Sequence, residues 1–383
     1  MDIFGHTSIQ LILFFILSGL TGAMPFFAAI YLLLRRGNAF APGITPPVRL
    51  RRWAASFFAA AALGHVWWML FYFYSHDIHS AAYVVVVLID CVSLLITITG
   101  TLLAMLQDRR RPMWPIFVAM MPYLLFGGLQ IIYPHDFIMY IGTAYALLLY
   151  VLFTGYMVVS VRRYGRWLND NYADLENKKV WLSQLVILVC MLLFIIYSLV
   201  TDIVLFYLLH VVELVLFSLL LWRVETLPQL ENKTEVTELS TPIHIRERLP
   251  GGEPSSGMEQ GARSAVSIDL AQIEQLLAEH CVAPQLYLQY DLTLQQLAQA
   301  IGTNRYYLSQ YFSRQGITYN TYINSQRVNH FIKRYEEIVK AGQSVSAQQL
   351  AHESGFRSYS TFSRAFMQRT EQTVTAWMRD MEG

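Results

Sequence analysis

Charged residues are scarce in this chain. Asp, Glu, Lys and Arg together make up 14% of its 383 residues, well below the roughly 25% that is usual in soluble globular proteins. Hydrophobic residues account for 55% of the sequence, and they are concentrated before residue 225. This composition excludes an ordinary soluble protein and indicates a chain with a large membrane-embedded part.

Cysteine is also rare, with three residues that lie far apart in the sequence. Cys91 and Cys190 fall inside apolar stretches and Cys281 lies in the C-terminal part. Neither a disulfide framework nor a Cys-x-x-Cys metal site is therefore expected. The sequence also lacks a Gly-rich phosphate loop, a zinc-type His/Glu motif and a kinase signature. We therefore expect no enzyme activity, no catalytic residue, no metal site and no cofactor.

The N-terminal part consists of seven apolar stretches, each close to the roughly 20 residues that a helix needs to cross the hydrocarbon core. Thr201-Asp202 separate the last two stretches, where a short turn would divide one overlong helix into two spans. We therefore predict a seven-helix transmembrane bundle over residues 1–224, in contact with a lipid bilayer. The stretches are 9–34, 53–74, 81–106, 113–133, 137–161, 181–200 and 203–222.

Basic residues between these stretches predict the orientation of the bundle. The connections after the first, third and fifth stretches contain five, three and five Lys or Arg residues, whereas the connections after the second, fourth and sixth contain none. The positive-inside rule places the basic connections in the cytoplasm. We therefore expect the N-terminus outside and, after an odd number of spans, the C-terminal part inside.

Four ionisable side chains lie inside the apolar stretches, where they are costly and therefore often functional: His65, Asp90, His210 and Glu213. Asp90 and Glu213 share a depth of roughly 13–16 Å from the predicted outer ends. One hypothesis is a cavity open to the outside that senses an unknown small-molecule or envelope signal. The alternative is structural, either a polar pair between helices, such as His65 with Asp90, or a protonated Glu213 among apolar neighbours.

Residues 225–264 interrupt the apolar pattern with Pro, Gly and Ser among Glu and Thr. This composition is typical of a flexible linker, whose forty residues would span roughly 35 Å. The linker divides the chain into a membrane domain, residues 1–224, and a C-terminal domain, residues 265–383.

The C-terminal domain contains the same apolar template twice. In each copy the apolar residues lie on one face of a short helix, and a glycine follows that permits a sharp turn. A longer apolar-periodic helix over about 319–340 separates the copies. This pattern predicts two helix-turn-helix motifs, which could enter successive major-groove faces about 34 Å apart. The copies are Leu297-Ala298-x-x-Ile301-Gly302, followed by Leu308 and Phe312, and Leu350-Ala351-x-x-Ser354-Gly355, followed by Phe362 and Phe366.

Over about residues 268–381 the sequence resembles the AraC/XylS family of transcription regulators, whose DNA-binding domain has two helix-turn-helix motifs joined by a long helix. The motif that carries the resemblance is Leu350-Ala351-x-x-Ser354-Gly355-Phe356-x-Ser358-x-x-x-Phe362-Ser363-Arg364-x-Phe366. The first copy, with Asn304-Arg305-x-Tyr307-Leu308-Ser309-x-Tyr311-Phe312, is similar to the branch that carries multi-span sensor domains. The chain departs from the family at Met367, Glu371 and Val374, where Lys, Gly and Pro are usual.

The resemblance implies base contacts at Tyr306 and Gln310 in the first copy and at Tyr359, Ser360 and Arg364 in the second. A guanidinium such as that of Arg364 can pair bidentately with guanine. Further candidate DNA-binding residues are Asn304, Arg305, Ser309, Arg357 and Ser358. Basic side chains that are candidates for phosphate contacts are Arg305, Arg314, Arg327, Lys333 and Arg334.

We therefore expect an all-α protein of the bacterial inner membrane that regulates transcription, by binding promoter DNA in response to a signal sensed by its membrane domain. RNA polymerase and a second copy of the chain are further candidate partners. One alternative is a receptor or scaffold whose helix-turn-helix domain binds a protein, because the net charge of residues 265–383 is close to zero. The other is a transporter-like domain with a regulatory tail.

Overall fold

The computed structural model describes residues 8–35, 37–74, 80–175, 178–198, 203–230 and 270–382. Within these ranges the expected all-α fold is confirmed, and the only β-type pairing that they contain is a single bridge between Tyr172 and Thr293. The chain divides into two compact units. The N-terminal unit comprises Met1–Gly165 and Asn177–Glu231, and the C-terminal unit comprises Arg166–Glu176 and Asn232–Gly383.

Seven helices account for the described residues of the apolar part of the chain. Six of them contain a segment long and apolar enough to cross a membrane within the described residues, namely Phe15–Leu34, Val48–Phe71, Ala81–Met105, Trp114–Ile132, Asp136–Asn171 and Tyr207–Thr226. The predicted sixth span falls on α6, and the predicted turn at Thr201-Asp202 lies outside the described residues. The count of seven spans therefore stays a prediction. The helices are α1 (Ser8–Leu34), α2 (Val48–Tyr74), α3 (Ala81–Met105), α4 (Trp114–Ile132), α5 (Asp136–Asn171), α6 (Trp181–Ser198) and α7 (Ile203–Thr226).

Helix α5 extends well beyond the apolar stretch that predicted it. The stretch ends at residue 161, but the helix continues to Asn171 and contains 36 residues. At 1.5 Å per residue it is about 54 Å long, compared with about 30 Å for the hydrocarbon core. Arg162, Arg163 and Arg166 end the apolar run, yet arginine is a good helix former, so the helix itself does not stop there.

The end of α7 also differs from the prediction, which placed the start of the linker at residue 225. Glu225 lies in α7 and is fully buried, with its Oε2 2.8 Å from Arg35 Nη1 and within hydrogen-bond distance of the Tyr31 hydroxyl. After the helix, the backbone N–H of Leu230 donates to Gln107 Oε1 at 2.8 Å. Residues 225–230 therefore pack within the N-terminal unit, because an ion pair offsets the charge that appeared to end the helix. The rest of the predicted linker, 231–264, lies outside the described residues.

Small residues let the helices of the N-terminal unit approach closely. A Cβ placed at Gly64 on α2 would lie 2.5 Å from Oδ1 of Asp90 on α3, and one at Gly100 on α3 would overlap the ring of Trp53 on α2. Close backbone approach at small residues is the usual basis of helix packing in membranes. Helices α1, α2, α3 and α7 are in mutual contact as α1–α2, α2–α3, α1–α7 and α2–α7 pairs.

The C-terminal unit contains the two predicted helix-turn-helix motifs, α9–α10 and α12–α13, with α11 between them. Helix α8 leads through a π-helical turn, Ala278–Val282, and a 3-10 turn, Leu286–Leu288, into the first motif. The helices are α8 (Leu270–Leu277), α9 (Leu294–Ala300), α10 (Arg305–Arg314), α11 (Tyr319–Lys340), α12 (Ala347–Glu353), α13 (Tyr359–Thr370) and α14 (Val374–Glu382).

Local sequence rules explain where these helices begin and turn. Six of them start after a residue whose side-chain oxygen accepts a hydrogen bond from the backbone N–H three residues later. Gly302 and Gly355 turn the chain inside the two motifs with φ of +71° and +88°, a left-handed conformation that glycine adopts without strain. Glu371 has a φ of +59° at the end of α13, which explains why glycine is usual there. The capping residues are Thr293, Asn304, Thr318, Ser346, Ser358 and Thr373.

Helix α11 contributes to two separate cores. Its first half places Tyr319 and Ile323 in the core of the first motif, which also contains Cys281. Its second half places Phe331 and Tyr335 in the core of the second motif. Burial raises the pKa of the Cys281 thiol to about 11, so this cysteine stays protonated at neutral pH. A single helix thereby fixes the positions of both motifs.

We expect Gly355→Ala to destabilise the C-terminal unit more than Gly302→Ala. Both positions have positive φ, where a residue with a Cβ is strained by about 1–2 kcal/mol. A Cβ at Gly355 would in addition lie 2.8 Å from the carbonyl oxygen of Leu288, whereas one at Gly302 would meet no atom within 4 Å. Pulse proteolysis of the full-length protein in nanodiscs at increasing urea concentrations measures the difference. Equal destabilisation by the two substitutions would contradict the close approach at Leu288.

Candidate nucleic-acid interface

Helix α10 buries its apolar side and exposes a polar one. Leu308 and Phe312 lie in the first core. The Tyr306 side chain is 64% exposed, and its hydroxyl accepts a hydrogen bond from Gln310 Nε2 at 2.7 Å. The Asn304 side chain caps the helix by accepting from the Tyr307 N–H at 3.0 Å. All five predicted DNA-binding residues of this motif are exposed: Asn304, Arg305, Tyr306, Ser309 and Gln310.

Helix α13 has the same organisation with one difference. Ser360 and Arg364 are exposed, while Ser358 and Tyr359 are half-buried. Ser358 caps the helix by accepting from the Thr361 N–H at 3.3 Å. The Tyr359 ring lies 5.7 Å from that of Phe362 and packs against the second core. Tyr359 therefore has a packing role that the sequence analysis did not assign, and its predicted base contact remains untested.

The two motifs present equivalent positions to solvent. Beyond the turn glycines the second motif repeats the first with a shift of 54 residues, so that Tyr306 corresponds to Ser360 and Gln310 to Arg364. Each pair has i, i+4 spacing and therefore lies on one face of its helix. Ser360 is the second residue of α13 and Tyr306 the second of α10, so both pairs begin in the first turn. The N-terminal part of a recognition helix is the part that contacts base edges.

Comparison with known families agrees with this geometry. Residues 297–380 match a family described as "Helix-turn-helix domain". This segment is a helix-turn-helix domain. The match extends from α9 to α14, and it supports the resemblance of the segment to AraC-type transcription regulators. No curated protein and no solved structure matches the chain.

Arg357, in the turn of the second motif, already has two anionic partners. Its Nη2 contacts the carboxylate of Asp291, and its Nε lies 3.6 Å from Oδ2 of Asp174. The Asp174 side chain is only 6% exposed, whereas that of Arg357 is 52% exposed. A DNA phosphate would therefore compete with two carboxylates for this guanidinium. Asp174 is distant in sequence, and no sequence motif indicated the pair.

Three residues that follow α5 are built into the helix-turn-helix domain, and we call Tyr172–Asp174 the docking segment. Ala173 is fully buried in the first core, and its N–H donates to the Leu292 carbonyl at 3.3 Å. Asn320 Nδ2 on α11 donates to the carbonyls of Ala173 at 2.6 Å and Tyr172 at 3.1 Å. The sequence-based division assigned these residues to the membrane domain 1–224. The difference arises because contacts made mainly by backbone atoms leave no trace in hydropathy.

Arg327 was a candidate phosphate contact, and the structure contradicts this prediction. The residue is only 2% exposed. Its Nε donates to the Tyr287 carbonyl at 2.7 Å, its Nη2 donates to the Gln289 carbonyl at 2.8 Å, and its guanidinium lies 5.7 Å from the centre of the Phe356 ring. Burial lowers the pKa of Arg327 from its ordinary value, an effect that Tyr319 and nearby carboxylates oppose. The order of polar and apolar residues along α11 in the sequence could not show that Arg327, unlike Arg334, faces the core.

The other basic side chains that were predicted to contact DNA phosphates are exposed, and these contacts stay predictions. Arg305 and Arg314 lie on α10 and Lys333 and Arg334 on α11. Arg334 pairs with Glu337 at 2.7 Å, an exposed ion pair of the kind that contributes little to stability. These side chains can therefore reorient toward phosphates at small cost.

The four candidate signal-sensing residues come together in the N-terminal unit. Ligand atoms of His65, His210 and Glu213 all lie within 4.8 Å of one another. Asp90 lies beside Gly64, and its Oδ2 accepts a hydrogen bond from Trp68 Nε1 at 3.0 Å. The sequence analysis placed Asp90 and Glu213 at a similar depth, but it could not show that α2 and α7 bring the two histidines together.

Replacing Arg327 with alanine should destabilise the helix-turn-helix domain by about 3 kcal/mol, because the buried carbonyl of Tyr287 and the partly buried carbonyl of Gln289 lose a charged donor. Arg334→Ala is the control, and as an exposed substitution it should change stability by less than about 0.5 kcal/mol. Urea-dependent pulse proteolysis of the full-length protein provides the measurement. A stable Arg327→Ala protein with weakened DNA binding would show instead that the arginine contacts DNA.

Asn320→Ala should loosen the docking segment, because the two carbonyls that it caps lose their donor. The expected result is faster amide hydrogen exchange in the peptide that contains residues 172–174, measured by mass spectrometry on the protein in nanodiscs. Asn329→Ala, an exposed asparagine on the same helix, is the matched control. If Asn320→Ala left the exchange of this peptide unchanged, the proposed anchoring by α11 would be wrong.

Proposed function

We propose that this chain is a membrane-tethered one-component regulator of transcription rather than an enzyme. In this proposal the helix-turn-helix domain binds promoter DNA sequence-specifically from the cytoplasmic side of a bacterial inner membrane. Seven spans, with the N-terminus outside, hold it there and respond to a small-molecule or envelope signal. The observation that supports it best is the pair of recognition helices, α10 and α13, which precede and follow α11 in the chain and present equivalent exposed residues.

The exposed side chains have the chemistry that base recognition needs. A glutamine such as Gln310 can bond bidentately to adenine, and an arginine such as Arg364 can do the same with guanine. The hydrogen bond from Gln310 to Tyr306 restricts the side chain before DNA is bound, which reduces the entropy lost on binding. Arg305 and Arg314 on α10 are suitably exposed to contact the flanking phosphates.

The docking segment offers a physical route from the membrane unit to the DNA-binding domain. Helix α5 ends at Asn171 and the chain continues directly into Tyr172–Asp174, which pack in the domain core and contact Arg357. A signal that changes the position of α5 would therefore act on the domain through covalent continuity. Such a signal shifts DNA binding only if it has different affinities for the two arrangements. We also propose that a second copy of the chain and RNA polymerase are partners of the regulator when the signal changes its DNA binding.

A protein-binding role is the competing proposal, and the charge of the domain favours it. Residues 265–383 contain ten basic and ten acidic residues. DNA affinity depends largely on neutralising phosphates, so a domain without net positive charge has a weaker non-specific attraction to DNA. A receptor or scaffold that presents its helix-turn-helix domain to a protein would not need that charge.

The double variant Gln310→Ala/Arg364→Ala tests DNA binding in the host cell. Each bidentate base contact is worth about 1–3 kcal/mol, so chromatin immunoprecipitation of the tagged full-length protein should show promoter occupancy reduced at least about tenfold. The control is Gln315→Ala/Arg379→Ala, which removes an exposed glutamine and an exposed arginine outside the two recognition faces. Fractionation should find all three proteins in the membrane.

Two outcomes would contradict the proposal. Occupancy retained by the double variant would mean that the recognition helices do not read the bases as proposed. The absence of discrete peaks for a folded, membrane-bound wild-type protein would refute DNA binding and favour a protein partner.

A further inference from the structure

A compact cluster of metal-ligand side chains lies between α2 and α7 in the N-terminal unit. It consists of His65 on α2 and of His210 and Glu213 on α7, and one ligand atom of each lies within 4.8 Å of the others. His210 and Glu213 are three residues apart and therefore project from one face of their helix. His210 is buried, and the two imidazole rings meet edge to face with centroids 6.5 Å apart.

The hydrogen bonds of His65 orient its ring as a metal ligand. Its Nδ1 lies 2.9 Å from the carbonyl oxygen of Ala61, which can only accept, so Nδ1 carries the proton. In the neutral imidazole the lone pair is then on Nε2. Metal-binding histidines usually have this arrangement, in which the second ring nitrogen donates to a carbonyl or carboxylate and fixes the tautomer.

The lone pair on His65 Nε2 competes with two backbone carbonyl oxygens for the hydroxyl proton of Thr21. Nε2 lies 2.9 Å from the Thr21 hydroxyl, which also lies 2.9 Å from the carbonyl oxygen of Leu17 and 3.2 Å from that of Ser18. One hydroxyl proton therefore has three acceptors. A cation bound at Nε2 would satisfy the imidazole lone pair and leave the Thr21 proton to the backbone.

The charges around the cluster also favour a cation. Asp90 on α3 lies beside Gly64, the residue that precedes His65 on α2. Asp90 is 7% exposed, and two carboxylates in an apolar helical bundle are costly unless positive charge offsets them. A divalent ion held by Glu213 supplies that charge beside Asp90. Because Asp90 already accepts a hydrogen bond from Trp68, we assign it as a neighbouring charge rather than a ligand.

We propose that His65, His210 and Glu213 bind a Zn²⁺ ion. Two imidazoles and one carboxylate form a donor set that zinc uses when it keeps a fourth position open, whereas Mg²⁺ and Ca²⁺ prefer oxygen ligands. Around a tetrahedral zinc ion the ligand atoms are about 3.3 Å apart, so the present spacing, which is within 4.8 Å, requires at most a small adjustment of the three side chains. The sequence analysis expected no metal because the residues form no local motif.

This inference goes beyond DNA binding and does not depend on it. The ion would link α2 to α7 and thereby stabilise the folded N-terminal unit. Its open coordination position would be accessible to water or to a small ligand inside the bundle. The site can therefore be tested on the purified full-length protein without any DNA measurement.

The test is zinc titration of the full-length protein in nanodiscs after treatment with a chelator. We expect one Zn²⁺ per chain by elemental analysis, and a thermal midpoint that rises with zinc concentration. His65→Gln and Glu213→Gln should each weaken zinc binding at least about 100-fold, since even losing a residue that only orients a ligand costs 10–100-fold. His135→Gln, an exposed histidine between α4 and α5, is the matched control and should bind zinc normally.

Zinc X-ray absorption on the wild-type protein gives a second readout that requires no variant. The expected spectrum contains two imidazole ligands and no sulfur. Failure of the folded wild-type protein to bind zinc at micromolar concentration would overturn the proposal. Zinc retained by both cluster variants, or a coordination shell without imidazole, would overturn it as well.

Discussion

The buried guanidinium of Arg327 joins the parts of the helix-turn-helix domain that must keep a fixed geometry. It lies on α11, bonds to the carbonyls of Tyr287 and Gln289 ahead of the first motif, and lies over Phe356 of the second. A Cβ at Gly355 would lie 3.1 Å from Arg327 Nε, so the absence of a side chain at Gly355 leaves room for the guanidinium. Two recognition helices can address one DNA duplex only if their separation is constant, and α11 with this arginine provides that constancy.

Small residues permit close polar contacts in the docking segment and between the helices of the N-terminal unit. Ala173 contributes no side-chain chemistry, yet the backbone around it is held by Asn320 and Leu292, so a three-residue piece of chain becomes part of the domain core. In the bundle, glycine at position 64 lets Asp90 approach α2, where polar groups are costly unless they pair. In both places a small residue permits a polar contact that a larger one would block.

Local features of the fold followed from the sequence. Turn glycines and apolar periodicity predicted the two helix-turn-helix motifs, the long helix between them and the exposed recognition faces, because these depend on neighbours within one or two helical turns. The burial of Arg327, the two carboxylates at Arg357 and the approach of His65 to Glu213 did not follow. Each depends on which helices pack together, and a charged residue has the same local pattern whether it faces solvent or a partner. Helix α5 shows the same limit, since charge marks the end of an apolar run rather than of a helix.

The central claim is that two motifs on one helix read one promoter together. Hydroxyl-radical footprinting of the full-length protein in nanodiscs, on a promoter fragment that it occupies in cells, tests this most directly. The account predicts two protected regions centred about 10 base pairs, or 34 Å, apart on one face of the duplex. Replacing Arg364 alone should remove the region that α13 contacts, and replacing Gln310 alone should remove the region that α10 contacts. A single protected region that neither substitution alters would contradict it.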